Sequence, residues 1–320
     1  MKAVGVFRYG GPEVLEAVEL PIPEVGPGQI RIRVHAAAVN PADVLLRMGY
    51  TDQMLAGRLT PPYRPGMDAA GVVDAIGPDT ITGLRVGDRV MAMVIPIDSS
   101  GGAYAQFLVL DPRQIVRAPR GSTHAEAATL PMNGLTARRA LDILGLAPGS
   151  WIAVTGAAGA LGGYTVQLAK ADGLRVVADA APTDEELVRT LGADLLVDRG
   201  PGVGECIRHV VPHGVDAAVD AAIMGPEILP AVRAGGQIAL VRSDGEPGVT
   251  PVDGQENVMT HNIFVPEYRY AHDKLDALRA LAEDGQISLR VAEEFPAHRA
   301  AEAHRRFEAG GVRGRLVLTF

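Results

Sequence analysis

The stretch that decides the fold is Trp151-Ile-Ala-Val-Thr-Gly-Ala-Ala-Gly-Ala-Leu-Gly-Gly163, in the middle of a chain of 320 residues. Its apolar first half predicts a buried strand that ends at Thr155, and Gly156 and Gly159 predict a turn. Gly162 falls in the first turn of the helix that follows. Side chains are thus absent where the backbone could approach a pyrophosphate, whose charge the N–H groups of a helix start would meet.

The segments around this motif alternate between strands and helices. The glycine spacing, GxxGxxG, departs from the GxGxxG fingerprint, and by itself it is a weak signal because Gly/Ala-rich turns also occur for packing. Further strands are predicted over 174–178, 195–197, 216–220 and 237–241, and helices over 161–171, 185–191 and near 228–233. Such alternation is typical of a parallel sheet covered on both faces. We therefore predict a doubly wound domain of about 140 residues that binds a dinucleotide.

The residues before this domain read as a mostly β region. Ile30, Ile32 and Val34 alternate with polar residues at the period of a half-buried strand. Near residue 120 the sequence changes to Ala- and Leu-rich segments with a helical period, and Thr123 and Glu126 have the spacing of a capping box. After residue 261 the chain predicts helices over 275–281 and 300–307 and a strand over 316–320. This tail of about 60 residues is small for an independent domain, so we expect it to complete the first one.

Composition and charge exclude several classes of protein. The single cysteine, Cys206, cannot form an intramolecular disulfide and indicates a reducing compartment. A net charge of −8 disfavours a large cationic surface for nucleic acid or acidic lipid and favours a small-molecule partner. The uncharged stretch Ile143–Ala169 contains Pro148 and a change of pattern, which argues against a membrane span. The start of the chain shows no apolar run of signal-peptide length, so we expect a cytoplasmic protein.

Two charged residues bear on which dinucleotide would bind. Asp179 ends the second strand, where a carboxylate can accept both ribose hydroxyls and repels a 2′-phosphate, which favours NAD. Arg199, just after the next strand, could instead pair with a 2′-phosphate. Each could equally be a solvated loop charge. The residues alone leave NAD and NADP open.

Several segments in order resemble the medium-chain dehydrogenase/reductase superfamily, and more closely its zinc-free quinone oxidoreductase and enoyl reductase branch. The segments that carry the resemblance, besides the glycine turn, are 39–43 (VNPAD), 65–73 (PGMDAAGVV), 83–90 (GLRVGDRV), 102–106 (GAYAQ), 127–131 (AATLP), 134–137 (GLTA) and 314–318 (GRLVL). The resemblance implies an α/β protein with a discontinuous GroES-like domain, 1–120 and 262–320, and a Rossmann domain, 121–261. It also implies a homodimer that pairs through Rossmann edge strands, for which 235–241 and 262–265 are candidates. A buried position within the monomer would explain these two segments equally well.

The resemblance further implies that this chain lacks the family's zinc site. Zinc-dependent relatives place ligands where Asn40 and Met67 stand here, and a third ligand near Met132. Neither an amide nor a thioether is a good zinc ligand, so we expect no metal. Without a Lewis acid, hydride transfer to an already conjugated acceptor remains feasible, whereas an unactivated carbonyl is harder to reduce.

Site residues carry over from the family position by position. Asn40 and Thr136 would lie near the nicotinamide and substrate, and Val241 and Ser243 would face the nicotinamide ring. Arg315 would approach the cofactor from the tail. The residues implied to hold the pyrophosphate are Gly156, Gly159, Ala160, Leu161 and Gly162.

Two tyrosines are candidates for the substrate side of the site. Tyr50 lies where related enoyl reductases often place a proton donor, although its spacing is one residue shorter than the family pattern. A surface or pocket-wall role is the alternative for Tyr50. Tyr63 stands where the family often has an aromatic residue that lines the pocket.

The function implied is hydride transfer from NADPH to a quinone or to an activated C=C bond of an enone or enoyl compound, with NADH left open by Asp179. One alternative is a trans-acting enoyl reductase of secondary, polyketide metabolism. Another is a non-catalytic nucleotide-binding sensor or scaffold, because binding residues survive the loss of chemistry.

Overall fold

A computed structural model describes residues 1–55, 57–242, 245–252 and 257–320. The chain divides into two compact units. The first comprises Met1–Met132, Pro266–Glu283 and Leu289–Phe320, and the second comprises Asn133–Val265 and Asp284–Ser288.

The helices and strands follow one another along the chain in this order. The first part contains β1 (Lys2–Val6), β2 (Leu15–Glu19), β3 (Ile30–Ala38), α1 (Pro41–Met48), α2 (Asp52–Leu55), β4 (Asp68–Ile76), β5 (Arg89–Met93), β6 (Phe107–Leu110), β7 (Ile115–Arg117) and α3 (His124–Ala128). The middle contains α4 (Pro131–Leu144), β8 (Trp151–Thr155), α5 (Ala160–Ala171), β9 (Arg175–Ala180), α6 (Glu185–Thr190), β10 (Leu195–Asp198), α7 (Val203–Val210), β11 (Val215–Asp220), β12 (Val232–Leu240) and β13 (Val258–Asn262). The tail contains α8 (His272–Glu283), β14 (Val291–Pro296), α9 (Ala300–Glu308) and β15 (Arg315–Thr319).

The first unit is built on a mainly antiparallel sheet in the order β14-β15-β3-β4-β5-β7, with β6 also paired to β3. Alternation along β3 buries Ile30, Ile32 and Val34, as the sequence predicts, and leaves Arg33 exposed. The tail joins this unit because β15 pairs with β3 in an antiparallel register. Burial of the apolar faces of both segments in one core fixes that return.

The helix α3 belongs to the first unit rather than to the second. Thr123 and Glu126 form the predicted capping box, with the Thr123 N–H donating to Glu126 Oε2 at 2.7 Å. Because α3 packs on β3 and β4, the first compact unit extends to Met132, beyond the boundary near residue 120 that the sequence suggests.

The second unit contains six parallel strands in the order β10-β9-β8-β11-β12-β13. This is the 3-2-1-4-5-6 order of doubly wound dinucleotide-binding sheets, and it confirms the predicted α/β fold class. The strand order reverses between β8 and β11, so their carboxyl ends border the crevice where ligands bind in such sheets.

Two expectations about this unit are wrong. The helix expected near 228–233 is a 3-10 helix over Gly225–Ala231, and β12 already begins at Val232. Pro230 lacks the N–H that a longer helix would need. The segment 235–241 is not a sheet edge, since β12 pairs with both β11 and β13. Within the described ranges, no helix combines the length and apolar character needed to cross a bilayer.

Candidate active site

The glycine turn joins β8 to α5 at the carboxyl end of the parallel sheet. Gly156 has φ +64°, in the left-handed region that favours glycine. A Cβ at Gly162 would overlap the carbonyl oxygen of Gly156 and would lie 2.9 Å from the Cα of Ala157. The N-cap of α5 is Gly159, which has no side chain to cap the helix. The turn is therefore a backbone-lined cradle at a helix start, a geometry that suits a pyrophosphate.

Asp179 of β9 reaches this turn and is 2% exposed. Its Oδ1 accepts a hydrogen bond from the N–H of Ala157 at 3.1 Å, whereas its Oδ2 is buried without a partner among the described residues. Burial raises the pKa of Asp179, and the Ala157 N–H and the charge of Arg199 oppose that rise. A buried carboxylate oxygen without a donor is costly, and ribose hydroxyls are suitable donors. The residues present therefore fit the adenosine ribose of a dinucleotide.

Arg199 is exposed and directly follows β10. The register of β10 on β9 places Val197 opposite Asp179, and the N–H of Arg199 donates to the carbonyl of Ala180 at 3.1 Å. Asp179 and Arg199, which favour different cofactors, are thus neighbours at one end of the sheet. Asp179 is buried and Arg199 is solvated.

Thr155 and Asp220, at the ends of β8 and β11, are residues that the sequence analysis missed. Both are buried, and the Thr155 hydroxyl donates to Asp220 Oδ1 at 2.7 Å. Asp220 also accepts the N–H groups of Met224 at 3.0 Å and Gly225 at 2.9 Å. It thereby holds the loop after β11, in which Ile223 has φ +60°. The sequence signal that could have identified Asp220 is an acidic residue at the end of an apolar strand.

Three other predicted cofactor residues belong to the middle of the chain. Val241 directly follows β12 and lines a small cavity with Asp220 and Ile223. Thr136 is buried in α4, at 6% exposure. Ser243 lies outside the described residues.

In the first unit, Asn40 is the fully buried N-cap of α1. Its Nδ2 donates to Asp68 Oδ2 at 2.7 Å, and Asp68 Oδ1 accepts the N–H of Met132 at 2.6 Å. Because the carboxylate can only accept from a donor, this contact sets the orientation of the amide. Burial raises the pKa of Asp68 to about 6, against the donors and the nearby charge of Arg315.

Asp43 completes the capping box at the start of α1. Its Oδ2 accepts the N–H of Asn40 at 2.8 Å, and its Oδ1 accepts the N–H of Gly66 at 2.7 Å. Burial, together with the charge of Asp68, raises the pKa of Asp43 to about 7. Asp43 was not predicted as a site residue, although its position three after Asn40 is the capping-box spacing.

The positions where zinc-dependent relatives hold their metal carry Asn40, Met67 and Met132, and all three side chains are buried. The amide nitrogen of Asn40 is taken by Asp68, and the other two offer only thioether sulfur. Thiolate, imidazole and carboxylate are the groups that hold zinc, so these residues do not fit the ion. Across the part of the chain that the structure describes, no three His, Cys, Asp or Glu side chains group to hold a metal.

The two predicted tyrosines lie near a third one. Tyr63 stacks on Tyr9, with ring centroids 5.9 Å apart and planes at 8°. The Tyr9 hydroxyl donates to Asp52 Oδ1 at 2.6 Å, and burial together with Asp52 raises its pKa. Tyr50 follows Gly49, which ends α1, and is 52% exposed. Of the three side chains, that of Tyr50 is the most exposed to solvent.

Arg315 is the first residue of β15 and is 7% exposed. Its Nη1 donates to the carbonyl of Val39 at 3.3 Å, directly before Asn40 in the chain. Its role at the cofactor stays a prediction.

Two family models match the chain. Residues 26–120 match the alcohol dehydrogenase GroES-like domain, and residues 191–318 match the zinc-binding dehydrogenase model.

Known proteins resemble the chain over nearly its whole length. The quinone oxidoreductase of Homo sapiens is 28% identical over 332 residues, which are 99% of this chain and 97% of that protein. The chloroplastic NADPH-dependent alkenal/one oxidoreductase of Arabidopsis thaliana is 32% identical over 330 residues, 99% of this chain and 79% of that protein. The structure of the quinone oxidoreductase from Coxiella burnetii superposes with a TM-score of 0.86 at 28% identity, over 100% of this chain and 99% of the other.

Proposed function

This chain belongs to the medium-chain dehydrogenase/reductase superfamily, as an oxidoreductase, and we propose that it transfers hydride from a reduced nicotinamide dinucleotide to a quinone or to a C=C bond conjugated with a carbonyl. The observation that carries the proposal is the glycine cradle with the buried, unpartnered oxygen of Asp179 beside it. That pair of features suits the pyrophosphate and the adenosine ribose of the cofactor.

The cofactor supplies the hydride when it is bound. For the second unit we propose that the N–H groups at the start of α5 bind the pyrophosphate and that Asp179 accepts the ribose hydroxyls. Thr136, Val241 and Ser243 remain our candidates for residues near the nicotinamide. Asn40, Met67 and Met132 do not fit a metal, and the proposed reaction needs none.

For the first unit we propose that Asn40 contacts the substrate and that Tyr50 supplies a proton. Hydride addition to the β-carbon of an enone leaves an enolate, which needs a proton or a hydrogen bond. A phenol that solvent can reach, as that of Tyr50 can, is able to give up a proton and regain it after turnover.

Asp179 also bears on the choice between the two nicotinamide dinucleotides. Its buried Oδ2 would be satisfied by a ribose hydroxyl, whereas a 2′-phosphate would bring a second negative charge against it. Arg199 is solvated and can screen that charge only in part. We therefore propose that NADH binds more tightly than NADPH, in contrast to the NADPH preference that the family resemblance implies.

Asp179→Ser tests this cofactor preference. We expect NADPH to gain at least tenfold in affinity relative to NADH, because about 1.4 kcal/mol of charge repulsion is removed. The measurement is a fluorescence titration of each cofactor. Asp198→Ser, an exposed aspartate at the end of β10, is the matched control and should leave the ratio of affinities unchanged. Wild-type protein that binds NADPH at least as tightly as NADH would contradict the proposed preference.

The proposed reaction is tested by offering each reduced cofactor with a panel of simple quinones and enones and following cofactor oxidation. We expect turnover on at least one of these two acceptor classes. Tight cofactor binding without turnover on any acceptor would instead favour a nucleotide-binding sensor or scaffold.

A further inference from the structure

A continuous chain of polar side chains crosses the first unit, from its surface to the start of α1. At the surface, Glu308 of α9 pairs with Arg47, with Oε1 and Nη2 2.5 Å apart. Nη1 of Arg47 lies 3.5 Å from Nδ1 of His304, and Nε2 of His304 lies 3.1 Å from the hydroxyl of Tyr104. That hydroxyl lies 3.3 Å from Oδ2 of Asp43. All of these side chains except that of Glu308 are buried.

The hydrogen bonds in this chain can run in only one direction. A guanidinium can only donate, so Nδ1 of His304 accepts from Arg47 and the ring proton sits on Nε2. Nε2–H then donates to the hydroxyl of Tyr104, whose own proton is left for Asp43. Burial, together with the charge of Arg47, lowers the pKa of His304 to about 3, which agrees with a neutral ring.

Asp43, at the end of the chain, faces donors at both of its oxygens. Oδ2 receives the Tyr104 hydroxyl and the N–H of Asn40, and Oδ1 receives the N–H of Gly66. A carboxylate satisfies all three donors, whereas a carboxylic acid would turn one of its oxygens into a fourth donor. The backbone of Asn40 is therefore held best while Asp43 accepts from Tyr104.

We propose that Arg47, His304 and Tyr104 are positioning residues, which fix the direction of the hydrogen bond from Tyr104 to Asp43 and thereby hold Asn40 in place for the substrate. The inference rests on the proposed function, since the substrate contact of Asn40 is part of it. The contacts between these residues could not be predicted from the sequence, because the residues are far apart along it. For example, 257 residues separate Arg47 from His304.

The hydrogen-bonded series from Arg47 to Asp43 should affect the pH dependence of the reaction. Protonation of Asp43 removes an acceptor, so the rate should fall as the pH drops through the pKa of Asp43. Removing the Tyr104 hydroxyl raises that pKa further, which moves the fall to higher pH. The titratable and charged groups that surround Asp43, directly or through the chain, are Asp68, Tyr104, His304, Arg47, Glu308 and Arg315.

The experiment compares variants that break the direction of the chain with one that preserves it. Tyr104→Phe and His304→Leu should lower kcat/KM at pH 7 by about tenfold and should move the acid limb of the pH profile up by about one unit. His304→Gln offers a carbonyl to Arg47 and an N–H to Tyr104, so it should stay within about threefold of wild type. Glu302→Gln, on the exposed side of α9, is the control and should change neither quantity.

Two readouts independent of turnover separate this inference from the proposed function. The carboxylic-acid band of Asp43, identified by infrared difference spectroscopy against Asp43→Asn, reports its protonation directly. Cofactor affinity, which depends on the second unit, should be unchanged in each variant. If the midpoint of this band shifts upward in Tyr104→Phe but no acceptor is turned over, the positioning role is supported and the proposed function is refuted.

An unshifted midpoint in Tyr104→Phe would overturn the inference, as would equal pH profiles for His304→Leu and His304→Gln. If His304→Leu fails to fold, Tyr104→Phe decides the matter, because it removes a single oxygen atom and keeps the buried ring.

Discussion

Two glycines of the nucleotide-binding turn differ in the space that they leave for a side chain. A Cβ at Gly162 would overlap the backbone of Gly156, whereas a Cβ at Gly159 would meet only the Gly156 carbonyl oxygen, at 3.1 Å. The first contact can be relieved only by moving the backbone of the turn, because no flexible side chain is involved. Gly162 is therefore required by close approach, and Gly159 is more tolerant.

We predict that Gly162→Ala lowers cofactor affinity at least tenfold and destabilises the protein by about 1–3 kcal/mol, the usual cost of overpacking. Gly159→Ala should have a clearly smaller effect on both quantities. Isothermal titration with the cofactor and denaturant unfolding measure the two effects. Equal losses in the two variants would refute the steric argument.

Tyr50 is the residue-scale test of the proton donor. If its hydroxyl protonates the enolate, Tyr50→Phe should reduce turnover on an enone by at least tenfold, within the usual range for general acid catalysis. Quinone reduction and cofactor affinity should change less. Tyr270→Phe, at another partly exposed tyrosine, is the control. An unchanged rate on the enone would leave Tyr50 with a surface or pocket-wall role.

At the scale of elements, α3 is attached to β3 by a pair of stacked histidines. The rings of His35 and His124 lie 4.6 Å apart with planes at 11°. Burial, the neighbouring ring and the charge of Arg89 lower the pKa of His124 to about 4. Burial, with Arg33 and Arg89, lowers the pKa of His35 as well. The stack is therefore stable as a pair of neutral rings.

This stack predicts a loss of stability in acid. A histidine with a lower pKa in the folded state takes up a proton on unfolding, so the free energy of unfolding falls as the pH drops from about 6.5 toward 4. His124→Phe keeps a ring on His35 and should reduce that fall by about 1 kcal/mol, allowing for the solvent contact of both rings. Urea unfolding at pH 7 and pH 5 measures the change in the free energy of unfolding between the two pH values.

The quantity to compare is the difference between variant and wild type. Asp43 and Asp68, whose pKa values are raised, bind protons in the folded state and act in the opposite direction over this pH range. Their contribution cancels in that difference. His298→Gln, at an exposed histidine, is the control, and a pH slope equal to wild type in His124→Phe would contradict the prediction.

At the scale of the whole molecule, β13 is the strand through which we propose that two copies pair. Among the described residues it pairs only with β12, and Met259 on it is 60% exposed. Phe264, just after the strand, is 50% exposed. An edge strand that leaves backbone groups unpaired and exposes an apolar side chain, as Met259 does here, is a template for another strand. Of the two segments named as candidates from the sequence, 235–241 lies inside the sheet and 262–265 begins at the last residue of β13.

Met259→Lys should therefore shift a dimer toward the monomer, because it places a charge on the edge strand. Light scattering over a range of concentrations measures the mass. Val210→Lys, at an exposed apolar position on α7, is the control and should leave the mass unchanged. A wild-type protein that is monomeric at every concentration would refute pairing through β13.

The sequence by itself determined the elements and the layers. Hydrophobic periodicity and the glycine turn are local, so β8 ends at Thr155 as predicted and α5 begins one residue before the predicted start. The helix expected near 228–233 is instead a 3-10 helix that contains Pro230 and ends at Ala231. The motifs in order also established the family, because each is a short contiguous segment.

Only the tertiary structure decided which polar groups meet. Asp43, Tyr104 and His304 are far apart in sequence, and no local pattern shows that their side chains meet. Folding buries them together, and a buried polar group is stable only with a partner, so their contacts become specific. The unpartnered oxygen of Asp179 is likewise a property of packing. The chain thus specifies where a dinucleotide would bind, and the fold specifies what holds Asn40 in place.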